Sequence, residues 1–185
     1  MRGGRKSMRV EELSEREIAL IMQARVETDT PYKLAAVPAA DGDEGAVFDS
    51  ALELLALVQG DRKASLSDLA TALDHVASAF ADAPRGSFVA DCVPRPDIKV
   101  DRELISRRFP ELGLYATSDP LDLEGKPLVA DAVDDLLDIT LQMQAFIALS
   151  DAPEEALRQL HALGGHWMAH LRGLSRYLHA LRYGW

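Results

Sequence analysis

The C-terminal part of the chain carries the pattern that most restricts its fold, two long segments of helical periodicity with a very short connection. These segments extend from about Pro127 to Leu149 and from about Pro153 to Leu181, and the connection between them is the sequence SDAP, residues 150–153. A connection this short makes consecutive helices antiparallel neighbours. The sequence therefore predicts a long antiparallel helical hairpin at this end of the chain.

Further helices are indicated upstream of this hairpin. Residues 46–59 are apolar on nearly every side, which is typical of a buried helix. Residues 65–80 have apolar side chains at helical spacing, and Ser65 with Asp68 resembles a capping box. A short helix is expected over residues 101–109, and the following segment up to Pro127 reads as a loop. No segment alternates with period two for long enough to predict a strand. The predicted fold is all-α, an irregular bundle of five or six helices ending in the hairpin.

The length of 185 residues fits one domain. We expect residues 1–43 to form a flexible N-terminal extension with a possible helix, and residues 44–185 to form a single helical domain. No segment is apolar over the roughly 18 residues that a membrane span requires. The single cysteine, Cys92, cannot form an internal disulfide. Together these features predict a soluble protein of the cytoplasm.

The charge distribution limits the classes of partner. The net charge of −10, from 20 basic and 30 acidic residues, argues against a nucleic-acid-binding protein. The charge is also uneven, because residues 119–138 contain seven acidic residues and residues 156–185 contain none. This asymmetry predicts two complementary arms of one hairpin, and we expect neither nucleic acid nor a membrane as a partner.

The candidate metal ligands are His166 and His170, which lie four residues apart on one side of a helix. This spacing is used when one helix supplies two metal ligands. With equal rise per residue in both arms, His166 lies level with Asp138 and His170 lies level with Asp134. A carboxylate from the first arm is therefore a candidate third ligand.

The direction of those carboxylates favours a different interpretation. At about 100° per residue, the acidic side chains of the first arm lie opposite its apolar stripe. They are expected to face solvent and to point away from the histidines. This set contains Asp131, Asp134, Asp135 and Asp138.

Small residues beside the histidines form a second feature of the same helix. Gly165, Ala169 and Gly173 are spaced by four residues, and glycine in a helix interior costs roughly 1 kcal/mol relative to alanine. We expect a neighbouring helix to approach closely at this ridge. A kink in the helix, or a groove for a ligand or a partner helix, are the alternatives.

Four motifs in this region resemble those of a bacterial family catalogued as domain of unknown function 5063. They are RRFPELGLY at residues 107–115, DPLDL at 119–123, ADAVDDLLDI at 130–139 and the His-Trp-x-x-His pattern at 166–170. The resemblance covers about residues 97–181. It implies a helical fold and a bacterial source, and it supplies no mechanism, because the family has no assigned activity.

Two functions are consistent with the sequence. No complete catalytic constellation is evident, which favours a non-catalytic protein-interaction or regulatory helical module without a cofactor. Its partner would be another protein or a second copy of the chain. The alternative is a metal-dependent hydrolase of helical-bundle type, in which His166 and His170 bind a divalent metal together with a carboxylate from a neighbouring helix.

Overall fold

The computed structural model describes residues 44–83, 100–118 and 128–184. Within these ranges the chain is mainly helical, as predicted, and one small sheet accompanies the helices. The elements are α1 (Glu44–Gln59), α2 (Leu66–Asp82), α3 (Arg102–Arg108), β1 (Leu114–Thr117), β2 (Leu128–Asp131), α4 (Ala132–Ile147), α5 (Pro153–Ala162) and α6 (Gly164–Tyr183). The predicted N-terminal extension, residues 1–43, and Cys92 lie outside the described residues.

The start of α2 confirms the predicted capping box. The Ser65 hydroxyl oxygen accepts a hydrogen bond from the Asp68 amide at 3.2 Å. In return, the Asp68 carboxylate accepts one from the Ser65 amide at 3.1 Å. Each bond satisfies an amide that the first turn of a helix leaves without a partner, so these two residues define where α2 begins.

Four of the helices form the bundle. Helix α1 packs against α2, α2 against α6, α6 against α4, and α4 against α1, which closes a ring around the core. Helix α3 packs against α4 and α1, while α5 lies against α4 and α6. Phe48 of α1 stacks on Phe146 of α4 in the interior, with ring centroids 4.2 Å apart. The predicted irregular helical bundle is confirmed for the described residues.

The second arm of the predicted hairpin is two helices, not one. Helix α5 ends at Ala162 and α6 begins at Gly164, with Leu163 between them. Buried Trp167 spans the break, because its indole Nε1–H donates to the Leu160 carbonyl at 3.0 Å. The Phe80 ring from α2 packs edge-on against Trp167 and fills the space at the junction.

The structure corrects two predictions, one about residues 114–117 and one about residues 128–131. Strand β1 lies within the segment interpreted as a loop, and β2 occupies the predicted first turn of the helix from Pro127. The strands are antiparallel, with Tyr115 opposite Ala130. Helix α4 begins only after Asp131, whose carboxylate accepts from the Val133 amide at 2.9 Å and caps the helix. Each strand is four residues long, which is too short for alternation to stand out in the sequence.

Among the residues described, no helix combines the length and apolar character needed to cross a bilayer.

Candidate metal centre

The candidate site lies between α4 and α6. His170 Nδ1 is 2.6 Å from Asp135 Oδ1, and its other ring nitrogen, Nε2, is 3.5 Å from Asp138 Oδ2. His166 Nε2 is 4.0 Å from the same oxygen of Asp138. Two imidazoles from one helix and one carboxylate from its neighbour therefore converge near the surface of the bundle.

The register across the two helices agrees in part with the sequence arithmetic. His166 faces Asp138 as expected. His170 faces Asp135 and Asp138, whereas the sequence placed it level with Asp134. Because the higher-numbered residue of α6 faces the lower-numbered residue of α4, the two helices run antiparallel at this point.

The expectation that the acidic side of α4 points away from the histidines is wrong for half of its members. Helix α4 is surrounded by α1, α3, α5 and α6, so α6 covers part of the side that carries the aspartates. Asp135 is only 6% exposed. The sequence correctly separates this side from the apolar stripe, but the stripe does not show how many helices surround α4.

The other two aspartates are held by a different partner. Arg102 of α3 donates from Nη2 to Asp131 at 2.7 Å and from Nε to Asp134 at 2.5 Å. These contacts raise the pKa of the Arg102 guanidinium, mainly through its hydrogen bond with Asp134. Asp131 and Asp134 are therefore engaged at the start of α4, away from the candidate ligands.

Asp135 contacts the ring nitrogen of His170 that does not face Asp138. Its Oδ1 faces His170 Nδ1, and its Oδ2 accepts a hydrogen bond from the Tyr115 hydroxyl of β1. A carboxylate oxygen only accepts hydrogen bonds, so in the His170–Asp135 hydrogen bond the proton belongs to His170 Nδ1. In a neutral ring that assignment leaves the lone pair on Nε2, the nitrogen that faces Asp138. Metal-binding histidines are typically oriented by such a carboxylate.

Tyr115 remains a hydrogen-bond donor over the ordinary pH range. Burial raises the pKa of its hydroxyl well above the usual value, and the hydrogen bond to the negative Asp135 raises it further. The ring also stacks on Tyr177 of α6, with centroids 4.8 Å apart and planes inclined by 12°. The sheet is thus attached to α6 next to the candidate ligands.

The three candidate ligand atoms are close to the spacing that a metal ion requires. One atom from each of Asp138, His166 and His170 lies within 4.8 Å of the other two. Tetrahedral ligands at about 2.0–2.1 Å from a zinc ion would be roughly 3.3 Å apart. The His170–Asp138 pair at 3.5 Å nearly meets this value. The His166 side chain is 64% exposed and its Nε2 is 4.0 Å from Asp138 Oδ2, so metal binding would require this side chain to move closer.

Among the described residues, no neighbouring helix approaches the small residues beside the histidines, which corrects the sequence interpretation. A Cβ on Gly173 would lie 2.6 Å from the Tyr115 hydroxyl, so the close approach here is made by a side chain of β1. A Cβ on Gly165 would meet nothing within 4 Å, and Ala169 is exposed. The break at Leu163, two residues before Gly165, supports the kink that was the alternative explanation.

The remaining histidines lie apart from this site. His75 pairs with Glu53 at 2.8 Å, and His179 faces Asp74 at 3.1 Å, each across a different helix pair. The His161 ring packs on Phe80. Over residues 44–83, 100–118 and 128–184, the Asp138, His166 and His170 group is the one set of three or more potential ligands that converges.

Two residues of the site were not identified from the sequence. Asp135 was assigned to the solvent side, and Tyr115 belonged to a segment with no predicted strand. Each depends on a contact between segments distant in the chain, and no local signal marks that contact.

Comparison of the sequence and structure with known proteins finds no relative from which a role could be transferred. No protein-family model, curated protein or solved structure matches this chain. The resemblance of residues 97–181 to the domain of unknown function 5063 family therefore stays a prediction, and the geometry of the site is the basis for the function proposed below.

Proposed function

We propose that this protein binds one divalent transition-metal ion through His166, His170 and Asp138, and that the ion serves metal-assisted hydrolysis. The observation that supports this is the convergence of these three side chains, with Asp135 orienting His170 from behind. The sequence favours a non-catalytic module, and the position of Asp135 and Asp138 facing α6 shifts the preference to the metal-dependent alternative.

The donor set indicates the class of metal. Two imidazole nitrogens and one carboxylate oxygen suit zinc, iron, cobalt or manganese, whereas calcium and magnesium prefer oxygen ligands. Three protein ligands are also the number found in catalytic zinc sites, which keep a coordination position for water or substrate. His166 is mostly exposed, so substrate could approach the ion from the solvent side. A bound zinc ion of this kind lowers the pKa of its coordinated water to about 7.

Metal binding is tested by titrating protein purified without chelator with Zn²⁺ in a calorimeter, and with Co²⁺ by its visible absorption. We expect one ion per chain in the wild type. Binding should be more than about tenfold weaker in His166→Ala, because loss of a ligand should cost at least as much as loss of a group that orients one. His166 is mostly exposed, so the fold should tolerate the substitution.

The matched control is His179→Ala. This residue lies on the same helix and also faces a carboxylate, Asp74, but it is not part of the converging group. It should bind the metal as the wild type does. Equal binding in all three proteins, or no binding in the wild type, would rule out the proposed centre.

Hydrolysis needs its own measurement. The zinc-loaded protein is assayed with chromogenic carboxylic and phosphoric esters, and activity should disappear in His166→Ala and on addition of a chelator, then return with zinc. Metal binding without turnover of any ester would leave the metal centre standing and refute the hydrolase assignment.

The protein-interaction module is the second candidate, and the outer face of the sheet is the observation that favours it. Leu114 and Val129 project from this face and are 69% and 73% exposed. Neighbouring exposed apolar side chains are typical of an interaction surface when they form a patch. A second copy of the chain is the partner we propose for this face.

Sedimentation equilibrium tests that proposal directly. Wild-type protein should form dimers that Val129→Lys converts to monomers, with Asp151→Lys as an exposed control away from the sheet. A monomeric wild type at all accessible concentrations would contradict self-association.

The other predictions about partners and location rest on composition. We propose that nucleic acid is not a partner, because the net charge of −10 opposes binding to phosphates. We also propose a cytoplasmic location, which is consistent with a single cysteine.

A further inference from the structure

We infer that docking of the β1–β2 sheet on the bundle and metal affinity at the candidate centre are thermodynamically linked through Tyr115, Asp135 and His170. This inference rests on the proposed metal centre and adds a control of its affinity by a separate structural element. Tyr115 acts as a positioning residue, since it does not itself reach the ion.

The linkage follows an unbroken path of polar contacts. The Tyr115 hydroxyl donates to one oxygen of Asp135, and His170 Nδ1 donates to the other at 2.6 Å. Because each oxygen has its own donor, the two bonds together fix the plane of the carboxylate. Loss of the Tyr115 bond would allow the carboxylate to rotate, and His170 would lose the fixed partner that holds Nε2 toward Asp138.

The sheet brings Tyr115 to this position, so the path reports whether the sheet is docked. Tyr115 is paired with Ala130 across the two strands and stacks on Tyr177 of α6. Gly173 supplies the space for the hydroxyl, because a side chain there would lie 2.6 Å from it. If the sheet moves away from α6, the hydrogen bond from the Tyr115 hydroxyl to Asp135 is broken at the same time.

Linkage must act in both directions. Replacement of a group that orients a metal-binding histidine typically weakens metal affinity by about 10–100-fold. Tyr115 is one bond further from the metal, so we expect about tenfold, the lower end of that range. Reciprocity then requires the bound metal to favour the docked sheet by the same factor by which docking of the sheet strengthens metal binding.

The experiment measures Co²⁺ affinity for wild type, Tyr115→Phe and Tyr177→Phe by visible absorption, well below the unfolding temperature. Tyr115→Phe keeps the stacked ring and removes only the hydroxyl bonded to Asp135. Tyr177→Phe makes the same chemical change in the other ring of the stack, whose hydroxyl makes no described hydrogen bond, and serves as the matched control. We expect about tenfold weaker binding in Tyr115→Phe and wild-type binding in Tyr177→Phe.

Hydrogen exchange of the Ala132 amide, which donates to Gly113, measures the reverse direction. Added Co²⁺ should slow this exchange in the wild type by more than it does in Tyr115→Phe. The metal-free exchange rates show whether the sheet remains docked in each variant, which separates loss of orientation from local unfolding.

The outcomes distinguish the inference from the proposed centre. If the wild type binds Co²⁺ and the two tyrosine variants bind it equally well, the linkage is refuted and the metal centre stands. If metal leaves the exchange of Ala132 unchanged, the linkage is refuted as well. If the wild type does not bind the ion, both the proposed centre and the linkage fail.

Discussion

The substitutions Gly173→Ala and Gly165→Ala should change the stability of this protein in opposite directions. Both glycines lie in α6, and replacing a helical glycine by alanine contributes about 0.5–1 kcal/mol to stability. At Gly165, in the first turn of α6, the new Cβ meets nothing within 4 Å, so we expect a gain of about 0.5 kcal/mol, the lower end of this range. At Gly173 the Cβ would lie 2.6 Å from the Tyr115 hydroxyl and must displace it.

The displacement costs more than the helix gains. A hydrogen bond to a charged group contributes about 1.5–3 kcal/mol, and Tyr115 would lose its bond to Asp135. The net effect of Gly173→Ala is therefore a loss of about 0.5–2.5 kcal/mol. Urea unfolding in the presence of chelator measures both variants without any contribution from metal.

A double variant tests the cause of that loss. In Tyr115→Phe the hydroxyl is absent, and the next nearest atom, Cζ of the ring, is 3.6 Å from the new Cβ, an ordinary contact. Gly173→Ala should then stabilise the protein as Gly165→Ala does. The reasoning is refuted if Gly173→Ala stabilises the wild-type protein, because Tyr115 would then be free to move without losing a significant interaction.

Three further predictions concern stability. Gln144 is 6% exposed, and neither polar atom of its side chain has a hydrogen-bond partner among the described residues. Gln144→Met should therefore raise the free energy of unfolding by about 1 kcal/mol. A lower free energy of unfolding in urea would show that the amide is hydrogen-bonded. Ser65→Ala should cost about 1 kcal/mol by removing the cap of α2, and Ser65→Gly only a few tenths; equal losses would argue against the cap. Folding raises the pKa of the Tyr115 hydroxyl. The contribution of this hydroxyl to the free energy of unfolding is therefore complete below about pH 10 and is lost as the pH rises further. The stability difference between wild type and Tyr115→Phe should narrow over that range, and a constant difference would contradict the buried hydroxyl.

Local patterns were sufficient to predict most of the helices. The apolar periodicity of residues 46–59 and 65–80, and the Ser65–Asp68 pair, correspond to α1, α2 and the cap of α2. These features depend on residues within a few positions of each other, and side chains three or four residues apart share a helix face in any fold. The sequence could therefore be interpreted without knowledge of the neighbouring elements.

The strands could not be predicted in the same way. Strands β1 and β2 pair with each other across a connection of ten residues, and their stability comes from that pairing and from Tyr115 packing on α6. Four residues carry too little alternation to indicate a strand by themselves. The sequence offered a kink near Gly165 only as an alternative to one continuous helix, because the apolar stripe continues through the break at Leu163 on both sides.

The sequence by itself determined the helical class, the start of α2, and the pair His166 and His170 with Asp138 as a level partner. Only the tertiary structure decided that Asp135 and Asp138 face the histidines, and that Tyr115 reaches Asp135 from a strand. The physical reason is that helical periodicity defines the faces of α4 relative to one another, whereas the neighbours of each face depend on how all the helices pack. An aspartate opposite the apolar stripe faces solvent on a peripheral helix, and it faces a partner helix when, as in α4, the helix is surrounded.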